Sequence, residues 1–258
     1  MTELRLRPRT VSELVDAAFA LYRQNSTQYI LVSALANVPL LILQIVLQPM
    51  NPATIAAIGP PVLLITTVGS LITYSIMSGA VVKLGSEIYL GREPDLAKSL
   101  GEVLPRVPAL VISSLLSGLL FFLGLLFFIV GALYVTARYF AVATAIVLEG
   151  KGPIAAFGRS SVLSRDRKRH ILNTLLLVGI IYFVLSFGVG AFSALSGSYV
   201  IQLVASTLFT IIAYPVVALT QMLLYYDSRI RNEGFDLEQM AATLDAGLAA
   251  PAARGTAQ

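Results

Sequence analysis

The residue whose surroundings most suggest chemistry is Arg138, the only charged side chain between Val107 and Leu148. An arginine in the middle of a membrane-spanning helix costs roughly 2.5 to 3.5 kcal/mol, so such residues commonly mark binding or coupling sites. With a turn of 100° per residue, its helix face also carries Tyr134, Ala141, Ala145 and Glu149. Two interpretations remain open: Arg138 contacts an anion or a lipid phosphate, or it is a structural arginine that bonds carbonyls or snorkels to an interface.

A second group of charged residues forms a basic run, with the sequence RDRKRH at positions 165–170. Each basic residue near an anionic membrane surface contributes on the order of 1 kcal/mol of attraction. We therefore predict contacts with anionic lipid headgroups, although a role in membrane topology alone also explains the run. The predicted lipid-contacting residues are Arg165, Arg167, Lys168 and Arg169.

Catalytic and metal-binding patterns are missing from the sequence. The chain has no cysteine and a single histidine, His170, which rules out thiolate nucleophiles and histidine clusters. It also lacks a G-x-S-x-G elbow, a Walker loop and an H-E-x-x-H motif. The acids Glu87, Glu93 and Glu149 lie on charged segments, but no sequence pattern fixes their geometry. We predict that the protein is not an enzyme and has no cofactor or bound metal.

The composition of the chain indicates the kind of fold that positions these residues. Hydrophobic residues make up 57% of the chain and charged residues 12%, and the mean hydropathy is +0.81. No charge lies between Arg23 and Lys83 or within 171–226. At 1.5 Å per residue, each of these stretches can cross a hydrocarbon core of about 30 Å twice. The sequence therefore predicts an all-α polytopic membrane bundle and argues against nucleic acid as a partner.

We predict six transmembrane helices arranged as three hairpins in one domain, 1–240, followed by a disordered cytoplasmic tail, 241–258. The first hairpin turns in the proline-rich segment 49–61, the second turns tightly near Phe127, and the third turns at Ser196, Gly197 and Ser198. The predicted spans are 29–48, 62–83, 108–127, 128–148, 171–194 and 200–226.

Short amphipathic segments precede each hairpin, at 11–22, 96–104 and 154–163. They are too short and too charged to cross a membrane, so we predict that they lie along its surface. All Lys and Arg residues outside the spans fall in these segments, their neighbouring linkers and the two ends of the chain. The positive-inside rule then places both termini in the cytoplasm.

Three stretches carry a resemblance to a known family: SELVDAAFALYRQN near the amino terminus, VLEGKGPIAAFGRSSVLSRDRKRH in the centre, and LLYYDSRIRNEGFDLE near the carboxyl terminus. The chain resembles bacterial six-helix membrane proteins of uncharacterised function, similar to the membrane domain of glycerophosphoryl diester phosphodiesterases. The resemblance implies a location in the bacterial inner membrane, and we expect the chain to lack the catalytic domain of those phosphodiesterases. The resemblance implies roles for Tyr22, Arg23, Arg138, Glu149, Gly150, Arg159, Tyr226, Asp227, Arg229, Arg231, Gly234 and Asp236.

The sequence favours a non-enzymatic scaffold, anchor or sensor that contacts anionic headgroups, and leaves open a protein partner or a second copy of the chain. The alternative is a small transporter or lipid-handling protein that uses Arg138. A transporter needs a polar path, and apart from serines and threonines the spans offer only Gln44, Gln202 and Gln221. The candidate functional residues are Arg138, Glu149, Tyr226, Asp227, Arg229 and Arg231.

Overall fold

A computed structural model describes residues 7–47 and 52–235, and these ranges contain ten α-helices and no β-strand. The first five helices are α1 (Val11–Gln24), α2 (Ser26–Val46), α3 (Pro52–Tyr89), α4 (Leu96–Val103) and α5 (Val107–Leu125). The others are α6 (Phe128–Arg138), α7 (Val142–Glu149), α8 (Pro153–Leu163), α9 (Lys168–Ala194) and α10 (Tyr199–Glu233). The predicted tail, 241–258, lies outside the described residues.

Six helical segments are long and apolar enough to cross a membrane, which confirms the predicted all-α polytopic bundle. They pair in sequence as α2 with α3, α5 with α6 and α7, and α9 with α10. We call the end formed by α1, α4, α8 and the last turns of α10 the charged end. The opposite end, where the three pairs turn, is the hairpin end.

The middle hairpin turns where the sequence predicts it. Helix α5 ends at Leu125 and α6 begins at Phe128, with Gly124 and Gly131 facing each other across the turn. A Cβ atom on Gly131 would collide with the Gly124 carbonyl, so the two helices approach this closely only because both residues are glycine. The turn near Phe127 is therefore confirmed as a close contact between helix backbones.

The predicted span 128–148 corresponds to the candidate crossing Phe128–Glu149, but it is not one continuous helix. Helix α6 ends at Arg138, residues 139–141 are non-helical, and α7 begins at Val142. The hydroxyl of Ser160 on α8 donates to the Arg138 carbonyl and accepts from the Ala141 N–H, both at 3.0 Å. A side chain from another helix thus satisfies backbone groups that the break leaves free, and the predicted continuous face from Arg138 to Glu149 does not exist.

Two connections also differ from prediction. Helix α3 already begins at Pro52 and includes Pro60 and Pro61, so the predicted turn over 49–61 is too long. Pro52 lies in the first turn of the helix, where no N–H donor is needed, whereas Pro60 and Pro61 lie inside the helix and each lacks one backbone hydrogen bond there. Helix α4 runs into α5 through one 3₁₀ turn, Leu104–Arg106, and is therefore the first part of a longer helical segment rather than a separate surface helix.

The tightly packed core lies toward the charged end. Helix α1 buries Leu14, Ala18 and Leu21, and it packs mainly against α10. Its apolar face therefore rests on protein rather than on the membrane surface. Helix α10 buries most of its residues from Tyr214 to Ile230, whereas its first turns are largely exposed. The fold thus holds the charged end together firmly and leaves the hairpin end open to lipid.

Candidate anion site and charged layer

Arg138 is the last residue of α6, so its side chain leaves the helix where the backbone breaks. Its Nη1 atom donates to the Tyr134 hydroxyl at 3.2 Å, and its Cζ atom lies 5.5 Å from the centre of the Tyr139 ring. Its Nε atom is buried and has no hydrogen-bond partner among the described residues. A guanidinium has five N–H donors, so Arg138 retains unused donor capacity.

Lys168 approaches the same tyrosine from α9. Its Nζ atom lies 5.3 Å from the centre of the Tyr134 ring, close enough for a cation–π contact. Across 7–47 and 52–235, no ion pair joins Arg138 or Lys168 to a carboxylate. Both cations therefore contact Tyr134, Arg138 at its hydroxyl and Lys168 at its ring, and neither has a counter-ion among the described residues.

The amino terminus of α9 adds further positive potential beside Lys168. Its first turn contains no acidic residue, and the residue before it, Arg167, makes no side-chain capping bond. The free N–H groups and the dipole of such a terminus favour anions. A surface cavity of about 430 Å³ lies at this terminus, lined by residues 166–170. Its one acid, Asp166, is exposed and has a φ of 60°.

Glu149, another predicted site residue, lies in a different environment in which every charge has a partner. Its carboxylate accepts from Arg159 Nε at 2.7 and 3.0 Å and from the Tyr225 hydroxyl at 2.5 Å. Arg159 also pairs with Glu233, which in turn accepts from Arg229 Nε at 3.0 Å. The pKa of Arg159 lies above its ordinary value. The main cause is the hydrogen bond to Glu233, and the bond to Glu149 adds to it.

Asp227 ties the amino-terminal arm to α10. Only 2% of its side chain is exposed, and it accepts from the Arg9 backbone N–H at 2.7 Å and from Arg231 Nε at 2.8 Å. Arg231 also donates to the Arg9 carbonyl at 2.7 Å, and His170 Nε2 lies 3.4 Å from Asp227 Oδ2. These contacts hold Arg9 against Asp227 and Arg231, which lie more than two hundred positions later in the sequence.

Tyr226 also has a structural position. Its hydroxyl lies 2.6 Å from the Ser86 Oγ atom in a buried hydrogen bond between α10 and α3. Gly234 ends α10 with a φ of 65°, as the sequence predicts for a helix stop. Tyr226 and Gly234 therefore belong to the packing of the charged end and are not exposed to a ligand.

The basic run divides into two pairs. Arg165 and Arg169 are exposed, which leaves them available to headgroups. Arg167 donates to the Asn232 side chain at 3.2 Å, and Asn232 in turn donates to the Leu163 carbonyl at 3.1 Å. Lys168 lies on Tyr134, as described above. The four residues predicted to contact lipid thus have different local roles.

The structure therefore brings Glu149, Arg229 and their partners into one network, holds Asp227 with Arg231 in another, and leaves Arg138 outside both. Sequence reasoning missed the meeting of Arg138 with Lys168 and the bridging role of Ser160. Lys168 lies thirty positions beyond Arg138 and is one of several adjacent cations. The only signal in the sequence was Tyr134, one turn before Arg138.

Comparison with known proteins adds no relative: no family model matches the chain, and neither the curated proteins nor the solved structures searched include a match.

Proposed function

We propose that this chain is a non-enzymatic protein of the bacterial inner membrane that binds the phosphate of an anionic lipid at Arg138, Lys168 and the amino terminus of α9. The observation that carries the proposal is that Arg138 and Lys168 converge on Tyr134 with no carboxylate paired to either. A phosphate would supply the missing negative charge and accept from the guanidinium donors.

The surroundings of the site favour a lipid as the source of that phosphate. Lys168 is the first residue of a candidate membrane span, the depth at which headgroups lie. Toward the hairpin end, α6 exposes Ile129 and Val130 beside the half-exposed Tyr134, an apolar surface suited to acyl chains. A lipid at this position would place its phosphate by the cations and its chains along α6.

A scaffold or anchor is a second candidate function, and a separate observation favours it. The contacts of Asp227 and Arg231 with Arg9, and of Glu233 with Arg159, fix both ends of the described chain on one rigid surface. Such a surface suits a protein partner or a second copy of the chain.

By the positive-inside rule, the surface formed by these contacts faces the cytoplasm. Reporter fusions at residue 235 and in 49–51 should then report opposite sides of the membrane.

Native mass spectrometry of the purified protein tests lipid binding. We expect the wild type to retain phosphatidylglycerol in preference to phosphatidylcholine. Charge-assisted hydrogen bonds contribute about 1.5 to 3 kcal/mol, so Arg138→Gln should weaken retention about tenfold or more. Lys168→Gln should weaken it less, because an ammonium cannot make the bidentate contact of a guanidinium.

Arg169→Gln is the matched control, because it removes one exposed cation from the same basic run without touching Tyr134. If Arg138→Gln and Arg169→Gln reduce retention equally, general attraction of charge explains binding and the proposed site is wrong. Binding of inorganic phosphate as strong as that of the lipid would remove the lipid from the proposal.

A further inference from the structure

A second feature lies at the hairpin end, away from Arg138 and the charged end. A cavity of about 300 Å³ opens between α2, α3 and α10, within three of the candidate membrane spans. Its polar lining includes Asn37, Gln44, Ser70, Thr73, Ser206 and Thr210. Scattered serines and threonines that form no pattern along the sequence thus converge in one place. Polar groups that line a cavity at membrane depth can hold the polar part of a ligand.

Three of the hydroxyl groups that line this cavity, those of Ser70, Ser206 and Thr210, have already donated their hydrogens. Ser70 donates to the Thr66 carbonyl at 2.7 Å, and Thr210 donates to the Ser206 carbonyl at 2.9 Å. Ser206 itself donates to the Leu203 carbonyl at 3.0 Å. A hydroxyl has one hydrogen and two lone pairs, so each of these oxygen atoms offers the cavity only acceptors.

The amide donors of Asn37 are also already occupied. Its Nδ2 atom donates to the Ser33 carbonyl at 2.8 Å and contacts the Met77 sulfur at 3.0 Å. The remaining group of this amide is its carbonyl oxygen, which is another acceptor. Asn37, Ser70, Ser206 and Thr210 therefore offer the cavity acceptors, which suit a ligand that brings its own O–H or N–H donors.

The charge and position of the cavity narrow the class of ligand. None of its lining residues is charged, so an ion would lack a counter-charge in a region of low dielectric. Ser70 and Tyr74 are exposed on the face that would meet lipid, which gives access from within the membrane. An uncharged amphiphile with free hydroxyl groups satisfies both conditions.

We propose that the cavity between α2, α3 and α10 is a binding site for an uncharged lipid whose free hydroxyl groups donate to Asn37, Ser70, Ser206 and Thr210. The site is independent of the anion site at Arg138, because it lies at the other end of the bundle and uses hydrogen bonds without ion pairing. One protein thus offers one site to a phosphate and another to hydroxyl groups.

The test is equilibrium binding of radiolabelled 1-monoolein to the full chain in phosphatidylcholine nanodiscs, followed by scintillation proximity. We expect saturable binding that unlabelled monoolein displaces. Its analogue with both hydroxyl groups methylated should displace at least tenfold less well, because it keeps the acceptors and loses both donors. This comparison uses only the wild-type protein and does not depend on the folding of a variant.

Thr210→Val removes one acceptor while preserving shape, and should weaken monoolein binding severalfold. Thr66→Val is the matched control, because Thr66 makes the same kind of bond, to the Val62 carbonyl at 2.8 Å, but does not line the cavity. Equal displacement by the methylated analogue would overturn the proposal, as would equal loss in the two valine variants. Stronger binding of protonated oleylamine than of monoolein would show that the site prefers cations and would also overturn it.

Discussion

Arg159 and Arg138 are both partly buried arginines near the charged end, yet their surroundings are opposite. Arg159 bridges two carboxylates, Glu149 and Glu233, and so joins the end of α7 to the end of α10. Arg138 contacts two tyrosine rings and no carboxylate in the described part of the chain. The first arginine is fully paired within the fold, whereas the second keeps donors that the fold does not use.

This difference indicates that Arg159 contributes to the stability of the fold, whereas Arg138 is available for binding. A paired, poorly solvated ion is costly to unpair, because the remaining partner stays buried without compensation. An unpaired arginine contributes little to folding and becomes favourable only when an anion arrives. The two arginines should therefore respond in opposite ways to mutation and to lipid.

The largest expected effect is at the paired arginine. Arg159→Gln removes the cation that Glu149 and Glu233 share and leaves them with Lys151 and Arg229, so it should reduce the free energy of unfolding by about 2 to 3 kcal/mol. Glu93→Gln removes an exposed acid at the same end and should change it by less than about 0.5 kcal/mol. Unfolding in mixed micelles measures both. Similar values for the two variants would mean that the Arg159 network has no structural role.

The next effect is at the break that precedes the anion site. Ser160→Ala removes both hydrogen bonds to the backbone between α6 and α7, and the serine is completely buried. At about 1 kcal/mol for each lost bond, unfolding should become easier by about 2 kcal/mol. Ser161→Ala, its neighbour, is the control. Amide exchange at Ala141 should accelerate in the first variant only, and unchanged exchange would contradict the bridging role of Ser160.

A smaller effect on stability is expected at Arg138 itself. In detergent without anionic lipid, Arg138→Gln should change the free energy of unfolding by less than about 0.5 kcal/mol, because no buried partner is left behind. The same substitution should make the segment 128–148 insert more readily into a membrane, since arginine is costly there. A destabilisation as large as that of Arg159→Gln would make Arg138 a structural residue.

The smallest effect belongs to an exposed pair at the start of α1. The pKa of Glu13 is lowered from 4.5 to about 2. The main cause is the hydrogen bond from the Thr10 backbone N–H, and the Arg7 side chain adds to it. A lowered pKa stabilises the fold above pH 4.5, and this contribution is lost as the pH falls through 2. Titration of the Glu13 carboxyl by NMR should give the low value, and Thr10→Ala should raise it. A titration near 4.5 in the wild type would contradict the observed capping box.

The elements of the fold follow from the sequence, because charge-free stretches and helix length leave few ways to cross a membrane. The tight turn near Phe127 could be predicted for the same reason. The break at 139–141 was not, since it depends on Ser160 from another helix. Similarly, Arg138 is conspicuous in the sequence, but its link to Lys168 and the pairing of Arg159 with Glu233 depend on how distant helices pack. Short-range patterns carry no information about such contacts.

The most direct test of the difference between the two arginines is the thermal stability of three proteins in nanodiscs of phosphatidylcholine, with and without phosphatidylglycerol. The wild type should gain several degrees in Tm from the anionic lipid. Arg159→Gln should start lower and gain the same amount, whereas Arg138→Gln should start near the wild type and gain clearly less. If Arg138→Gln gains as much as the wild type, the arginine does not bind the lipid phosphate and the central claim is wrong.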